Sequence, residues 1–160
     1  MLLIFFGNVG TGKTSLAKTV AEKLHFESIH FDEIVWQVFD REKIYENNTF
    51  LLSRPEINEV YDRMHRTAQR HLSYGRNVIL ESVYFKRNRE EAIKIAKKMK
   101  TKFLLIEVIC NEKVVKARLE KRKRQNDQTP GYQIYVAYKS LLEQEERKHL
   151  IIDTTNKSIE

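Results

Sequence analysis

The opening stretch constrains this chain more than any other part. Met1-Leu-Leu-Ile-Phe-Phe6 is an unbroken apolar run, and Gly7-Asn-Val-Gly-Thr-Gly12-Lys13-Thr14 follows it directly. A short run without alternation reads as a strand covered on both faces, the habit of parallel sheets flanked by helices. Past the glycines, Leu16, Ala17, Val20, Ala21 and Leu24 recur at helical spacing, so a helix runs to about Leu24. The loop itself satisfies G-x-x-x-x-G-K-[ST], the Walker A pattern, in its confirming strand–loop–helix context. Glycines let successive backbone N–H groups turn inward on an anion, and the helix adds the positive end of its dipole. Lys13 then reaches the outer phosphates of a nucleoside triphosphate, and the Thr14 hydroxyl is a hard oxygen ligand for Mg²⁺. Gly7, Asn8, Val9, Gly10, Thr11, Gly12, Lys13, Thr14 and Ser15 are therefore expected to bind ATP with Mg²⁺. The plain alternative is a flexible glycine turn with a chance lysine, and the flanking elements weigh against it.

The remaining chain alternates strands with helices. Glu27–Phe31 reads as a second strand leading to Asp32, with a helical turn or two over Ile34–Phe39, and Asn47–Leu52 reads as a loop. Ser53-Arg-Pro-Glu56 carries a capping-box signature, followed by an apolar stripe from Ile57 to Leu72 and a stop at Gly75. Asn77–Leu80 is a third strand ending at Glu81, Ala92–Met99 marks a helix, and Phe103–Ile109 is a fourth strand. A basic helix starts near Glu112, a polar break spans Gln125–Gly131, another helix carries Ile134, Tyr138 and Leu141, and His149–Asp153 is the last strand. This order predicts one α/β domain over residues 1–160 with a parallel sheet covered on both faces. The mixing of Lys and Arg with Glu along the later helices reads as an ordinary solvated face.

Three further features bear on chemistry. Glu81 at the tip of a buried strand fits a Walker B carboxylate acting on Mg²⁺; capping the next helix or pairing with a lysine is the alternative. Arg118 and Arg122 share a helix face at a spacing of four, with Arg124 close behind, and such guanidinium groups stack on a purine or fork onto phosphate. A solvated basic surface is the alternative for each. Asp32 sits beyond a strand end, where open parallel sheets bind ligands, so it is a candidate base; an N-cap is the alternative, and Glu33 is its rival. Trp36, Tyr45, Tyr84 and Phe85 are candidates to line a substrate pocket, with the core as the equal alternative. The five histidines lack metal-ligand spacing, and Cys110 reads as a small core residue.

The formal charge of +7 invites a nucleic-acid reading. Most of it belongs to one window, Lys113–Arg124, where seven basic residues face one acid. That is a local cluster, unlike the stripe a duplex binder presents, and one nucleotide can account for it. A single cysteine excludes an internal disulfide and fits a reducing cytoplasm, and no apolar run approaches a membrane span.

Together, GNVGTGKTS, HFDEI, GRNVILES, ARLEKRKR and HLIIDTT resemble, in order, the small P-loop kinases of the adenylate-kinase-like group. The likeness is nearest to the AAA_33, polynucleotide-kinase and zeta-toxin-like subgroup and covers nearly the whole chain. It implies a three-layer P-loop NTPase sandwich, a five-stranded parallel sheet of order 2-3-1-4-5, and a helical lid at about 118–133. It also implies that Arg118 packs against adenine, that Arg122 meets phosphate, that Asp153–Thr155, Thr154 among them, line the base, and that Asp32 faces the acceptor hydroxyl. Lys13, Asp32 and Arg122 are the expected catalytic groups, with Thr14 and Glu81 at the metal. Glu81 departs from the usual aspartate, and Ser82–Arg89 matches no particular substrate family. The expected activity is transfer of the γ-phosphoryl group of ATP to a hydroxyl on a metabolite, nucleoside or polynucleotide 5′ end. An ATPase switch acting with a protein partner is the competing reading.

Overall fold

The computed structural model describes residues 1–39, 44–46, 49–125 and 130–157. Along the chain run β1 (Leu2–Phe6), α1 (Lys13–Leu24), β2 (Glu27–His30), α2 (Phe31–Val38), β3 (Tyr45–Glu46), β4 (Thr49–Phe50) and α3 (Arg54–Ser73). They are followed by β5 (Val78–Glu81), α4 (Lys86–Lys98), β6 (Phe103–Ile109), α5 (Glu112–Gln125), α6 (Tyr132–Leu141) and β7 (Leu150–Asp153). Five strands form one parallel sheet in the order β2-β5-β1-β6-β7, which in chain order of its own strands is 2-3-1-4-5.

β1 is central because all of its side chains are apolar and both of its edges are paired. Strand alternation sends Leu3 and Phe5 to one face, where they meet Ala17 and Ala21 of α1, and Leu2, Ile4 and Phe6 to the other. There Val60, Met64 and Ala68 of α3 and Ala92 and Ala96 of α4 cover them, which completes three layers. Each fully buried Leu, Ile or Phe contributes about 1.5–3 kcal/mol relative to exposure, so β1 anchors the loop that follows it. At the start of α3 the Ser53 N–H donates to the Glu56 carboxylate at 2.8 Å, the reciprocal arm of the capping box.

Some boundaries depart from expectation. β2 stops at His30, not Phe31, because β5, its one partner among the described strands, ends opposite it at Glu81. Phe31 instead opens α2 and packs its ring on Tyr61 of α3, with centroids 5.0 Å apart. The expected loop at Asn47–Leu52 contains one arm of a minimal antiparallel pairing, Tyr45–Glu46 with Thr49–Phe50, in which Tyr45, Thr49 and Phe50 are residue types that favour strands. Residues 47 and 48 lie outside the described residues, as do 126–129 at the expected lid tip. The last strand begins at Leu150, since His149 turns its ring onto Glu107 at 3.1 Å. The solvated-face expectation fails for Arg89 of α4, which is buried and ion-paired to Glu145 at 2.9 Å. No described helix is long and apolar enough to cross a membrane.

Candidate active site

The loop Gly7–Gly12 joins the C-terminal end of β1 to α1, at the sheet edge where parallel strands deliver their ligands. Sequence and geometry agree on why two of its glycines are needed. A Cβ on Gly7, at φ +143°, would stand 2.3 Å from the Val108 carbonyl oxygen of the neighbouring strand. A Cβ on Gly10, at φ +76°, would meet Val115 and Leu119 at 2.9 and 3.0 Å, so the loop lies directly against α5. Asn8 pins the same loop to α6 by donating to the Tyr135 carbonyl at 2.8 Å. Its Oδ1 accepts the Val9 N–H at 2.8 Å, which takes that amide out of the set open to a phosphate. Val9 contributes its side chain to the neighbouring cleft instead.

Lys13 begins α1 and is almost fully buried. Its ammonium donates to the Asn8 carbonyl at 3.3 Å and lies 3.7 Å from Glu81. Glu81 closes β5, in register with Phe5 of β1 on one side and His30 of β2 on the other. That register brings the His30 Nδ1 to 2.8 Å from the Glu81 carboxylate, while the Ser28 hydroxyl lies 2.6 Å from Nε2. The ring nitrogen Nδ1 donates to the carboxylate, and the other nitrogen is held by the serine hydroxyl. Burial alone pushes the Glu81 carboxyl up, but the His30 hydrogen bond, the Lys13 charge and the Thr14 hydroxyl outweigh it and hold it below the usual carboxylate range.

Asp32 occupies the first turn of α2, whose N-cap is His30 with no side-chain cap bond. The N-cap alternative for Asp32 is thereby corrected, because the helix begins at Phe31, a residue the strand pattern had included in β2. Its carboxylate lines a cleft together with Lys13 and Glu81. One side of Asp32 is open to that cleft, and protein encloses the rest. This enclosure, then the Glu81 charge, raises its pKa, against the smaller opposing pull of Lys13, His30 and Arg122. Two carboxylates in one cleft are thus pushed in opposite directions, the pattern that separates a permanently charged group from a proton acceptor.

On the other side of the loop, Arg118 spends its donors on the C-terminal segment. It gives hydrogen bonds to the Thr154 hydroxyl at 3.1 Å, the Thr154 carbonyl at 2.9 Å, the Lys157 carbonyl at 3.1 Å and the Cys110 sulfur at 3.3 Å. The Thr154 hydroxyl in turn donates to the Thr11 carbonyl at 2.6 Å, so loop, α5 and the segment after β7 are tied together. Bonding at the guanidinium edge leaves its flat faces for stacking. Arg122 and Arg124 are exposed near the end of α5. Glu33 faces away from this group and pairs with Lys18 at 2.8 Å.

Of the four aromatic residues weighed from sequence, Phe85 lines the cleft, Tyr84 is wholly buried and Trp36 is half exposed. The Tyr45 side chain lies outside the described residues. Sequence reasoning missed His30, Tyr61 and Ser82. Tyr61 of α3 and Ser82, the residue just past β5, share a 2.8 Å hydrogen bond. Tyr61 falls on the apolar stripe of α3 and so looked like core; only the strand register identifies His30.

No curated protein matches the chain. Among solved structures, a protein of Chloroflexus aurantiacus J-10-fl provisionally described as a kinase is 21% identical with a TM-score of 0.77, covering 97% of this chain and 88% of its own. A gluconokinase of Sinorhizobium meliloti 1021 is 14% identical with a TM-score of 0.71, covering 98% and 83%. The APS kinase of Mycobacterium tuberculosis, solved with AMPPNP and APS, is 17% identical with a TM-score of 0.69, covering 99% and 90%. At these identities the likeness establishes a shared fold, the one expected from the motif order. The AAA_33 family, described as an AAA domain, matches residues 2–136. That match takes in the glycine loop, His30, Asp32, Glu81 and the α5 arginines Arg118, Arg122 and Arg124, and the chain belongs to the AAA_33 family.

Proposed function

We propose that this protein is an ATP-dependent phosphotransferase that moves the γ-phosphoryl group of ATP to a hydroxyl acceptor. The observation that carries the reading is the meeting of Lys13, Glu81 and Asp32 in one cleft beside the glycine loop. In this reading the loop amides and Lys13 hold the triphosphate. The Thr14 hydroxyl and the charged Glu81 carboxylate are hard oxygen donors that suit Mg²⁺, which when bound offsets charge on the transferred phosphates. Arg118 and Thr154 support the adenine, and Arg122 adds positive charge near the transferred group. Asp32 accepts the proton of the acceptor hydroxyl, work typically worth about 10²–10⁴-fold. Phosphoryl transfer asks little else of a protein beyond position and charge. His30 acts through Glu81, holding its carboxylate in place and charged.

The test is ADP formation with and without a panel of acceptors. Acceptor-dependent ADP, matched by phosphorylated acceptor, is the expected result. ATP hydrolysis at one rate regardless of acceptor would select the ATPase switch instead.

A further inference from the structure

The cleft beside Asp32 encloses about 80 Å³ and opens to solvent at its mouth. Its polar groups gather at the inner end: Asp32, Lys13, Glu81 and Ser82. The walls are of another character. Phe31, Ile57 and Tyr61 come from α2 and α3 on one side, and Phe85, Ile134 and Tyr138 from the α4 approach and α6 on the other. Two aromatic pairs frame the space, Phe31 with Tyr61 at 5.0 Å and Phe85 with Tyr138 at 5.4 Å between centroids, the second nearly edge-on at 86°. Such pairs offer both ring faces and ring edges to a flat or apolar body.

Charge in the cleft excludes as much as the walls admit. Among the described lining residues the one cation is Lys13, already set against Glu81 and the loop carbonyl. The two carboxylates, Asp32 and Glu81, face the same space. A carboxylate or phosphate on the acceptor would face both carboxylates, while Arg122, which also acts on Asp32, lies outside the lining and in this reading serves the transferred group. A polyol would strand most of its hydroxyls against apolar walls.

We infer that the phosphoryl acceptor is an uncharged alcohol with an aromatic or otherwise apolar body, seated between the aromatic pairs with its hydroxyl toward Asp32. This rests on the phosphotransferase reading. In the step, the hydroxyl proton passes to the Asp32 carboxylate as the acceptor oxygen bonds the γ-phosphorus. The bond from that phosphorus to the β–γ bridging oxygen breaks, and its electron pair leaves on ADP.

Phosphorus NMR of the full chain with ATP and Mg²⁺ tests this, comparing 2-phenylethanol and 3-phenylpropanol with glycerol, gluconate, AMP and a 5′-hydroxyl oligonucleotide. The arylalkanols are expected to exceed the others at least tenfold in kcat/KM. Ile57→Lys is expected to lower that value at least tenfold while changing ATP affinity less than twofold, and Ile134→Asn on α6 serves as a second variant should the first fold poorly. Tenfold preference for glycerol or any anionic acceptor, or arylalkanol kcat/KM untouched by both variants, overturns the inference. Failure to phosphorylate anything defeats the phosphotransferase reading alone, and ligand binding then decides the acceptor class. With AMPPNP filling the nucleotide site, saturation transfer to the 2-phenylethanol ring that vanishes in the folded variant sustains the inference. Equal or stronger transfer to gluconate or AMP, or an arylalkanol signal that persists in the variant, overturns it.

Discussion

At the scale of single residues the site turns on two carboxylates with opposite tendencies. Glu81 is held charged by His30, Lys13 and Thr14 in spite of its burial, whereas enclosure and the Glu81 charge raise Asp32 above its ordinary value of 3.8. In the proposed reaction the base is deprotonated Asp32, so kcat/KM should climb with pH through a pKa higher than that of an exposed aspartate. Asp32→Asn should flatten this acid limb and reduce transfer by about 10²–10⁴-fold, with ATP affinity nearly unchanged. The stability sign is opposite to that of a structural carboxylate. A raised folded pKa favours the native state below the unfolded value and loses that advantage as pH rises through the folded one. At neutral pH the charged Asp32 therefore costs stability, and the asparagine variant should melt at the same temperature or higher. Full transfer activity in Asp32→Asn would send the search for a base elsewhere. Much of this was legible beforehand, since HFDEI put an acid next to a strand end. His30 was not, because a histidine gains its meaning only when strand register sets it opposite Glu81.

At the scale of elements, α5 carries two arginines of one face into different surroundings. The Arg118 edge is bonded to Thr154, Lys157 and Cys110, so it joins α5 to the C-terminal segment. Arg122 is exposed and close enough to act on the Asp32 charge. Arg118→Ala should weaken ATP binding and also lower stability by about 1–3 kcal/mol, the cost of leaving its partners unpaired. Arg122→Ala should leave melting unchanged and lower kcat, on the order of 10³-fold if it meets charge in the transition state. Steady-state kinetics with varied ATP and thermal melts separate the two, and equal small effects would return the cluster to solvated surface. The helical spacing of the pair was readable from sequence. The hydrogen bonds that distinguish its members were not, since they depend on where the chain returns after β7. The start of α2 was misjudged for a related reason: β2 ends where its neighbour ends, a fact of the sheet and not of the local residues.

At the scale of the whole molecule, the parallel order of the strands gathers residues from position 7 to position 154 along one sheet edge, and alternating apolar runs made that order readable. The covering on the far side of that edge was less legible. Arg89 donates to Glu145 at 2.9 Å, to the Tyr84 carbonyl at 2.7 Å and to the Glu143 carbonyl at 2.9 Å, and lies over the Phe6 ring at 4.8 Å. This buried pair fastens the segment after α6 onto α4, where charge alternation alone had suggested solvent. Burial pushes the Glu145 carboxyl up, but Arg147 and Arg89 together hold it below its ordinary 4.5. Its contribution is thus present above the unfolded value and is lost as pH falls through the depressed folded one. Glu145→Gln should cost about 3–5 kcal/mol near neutrality by stranding a buried guanidinium, and its melting temperature should vary less with acid than that of the unaltered chain. The most direct trial of the account as a whole is a pair of measurements on Lys13→Ala, circular dichroism for the fold and acceptor phosphorylation for turnover. In the proposed reaction the Lys13 ammonium holds the triphosphate at the head of α1, so a native spectrum with transfer abolished is expected. Near-normal transfer by Lys13→Ala would contradict it.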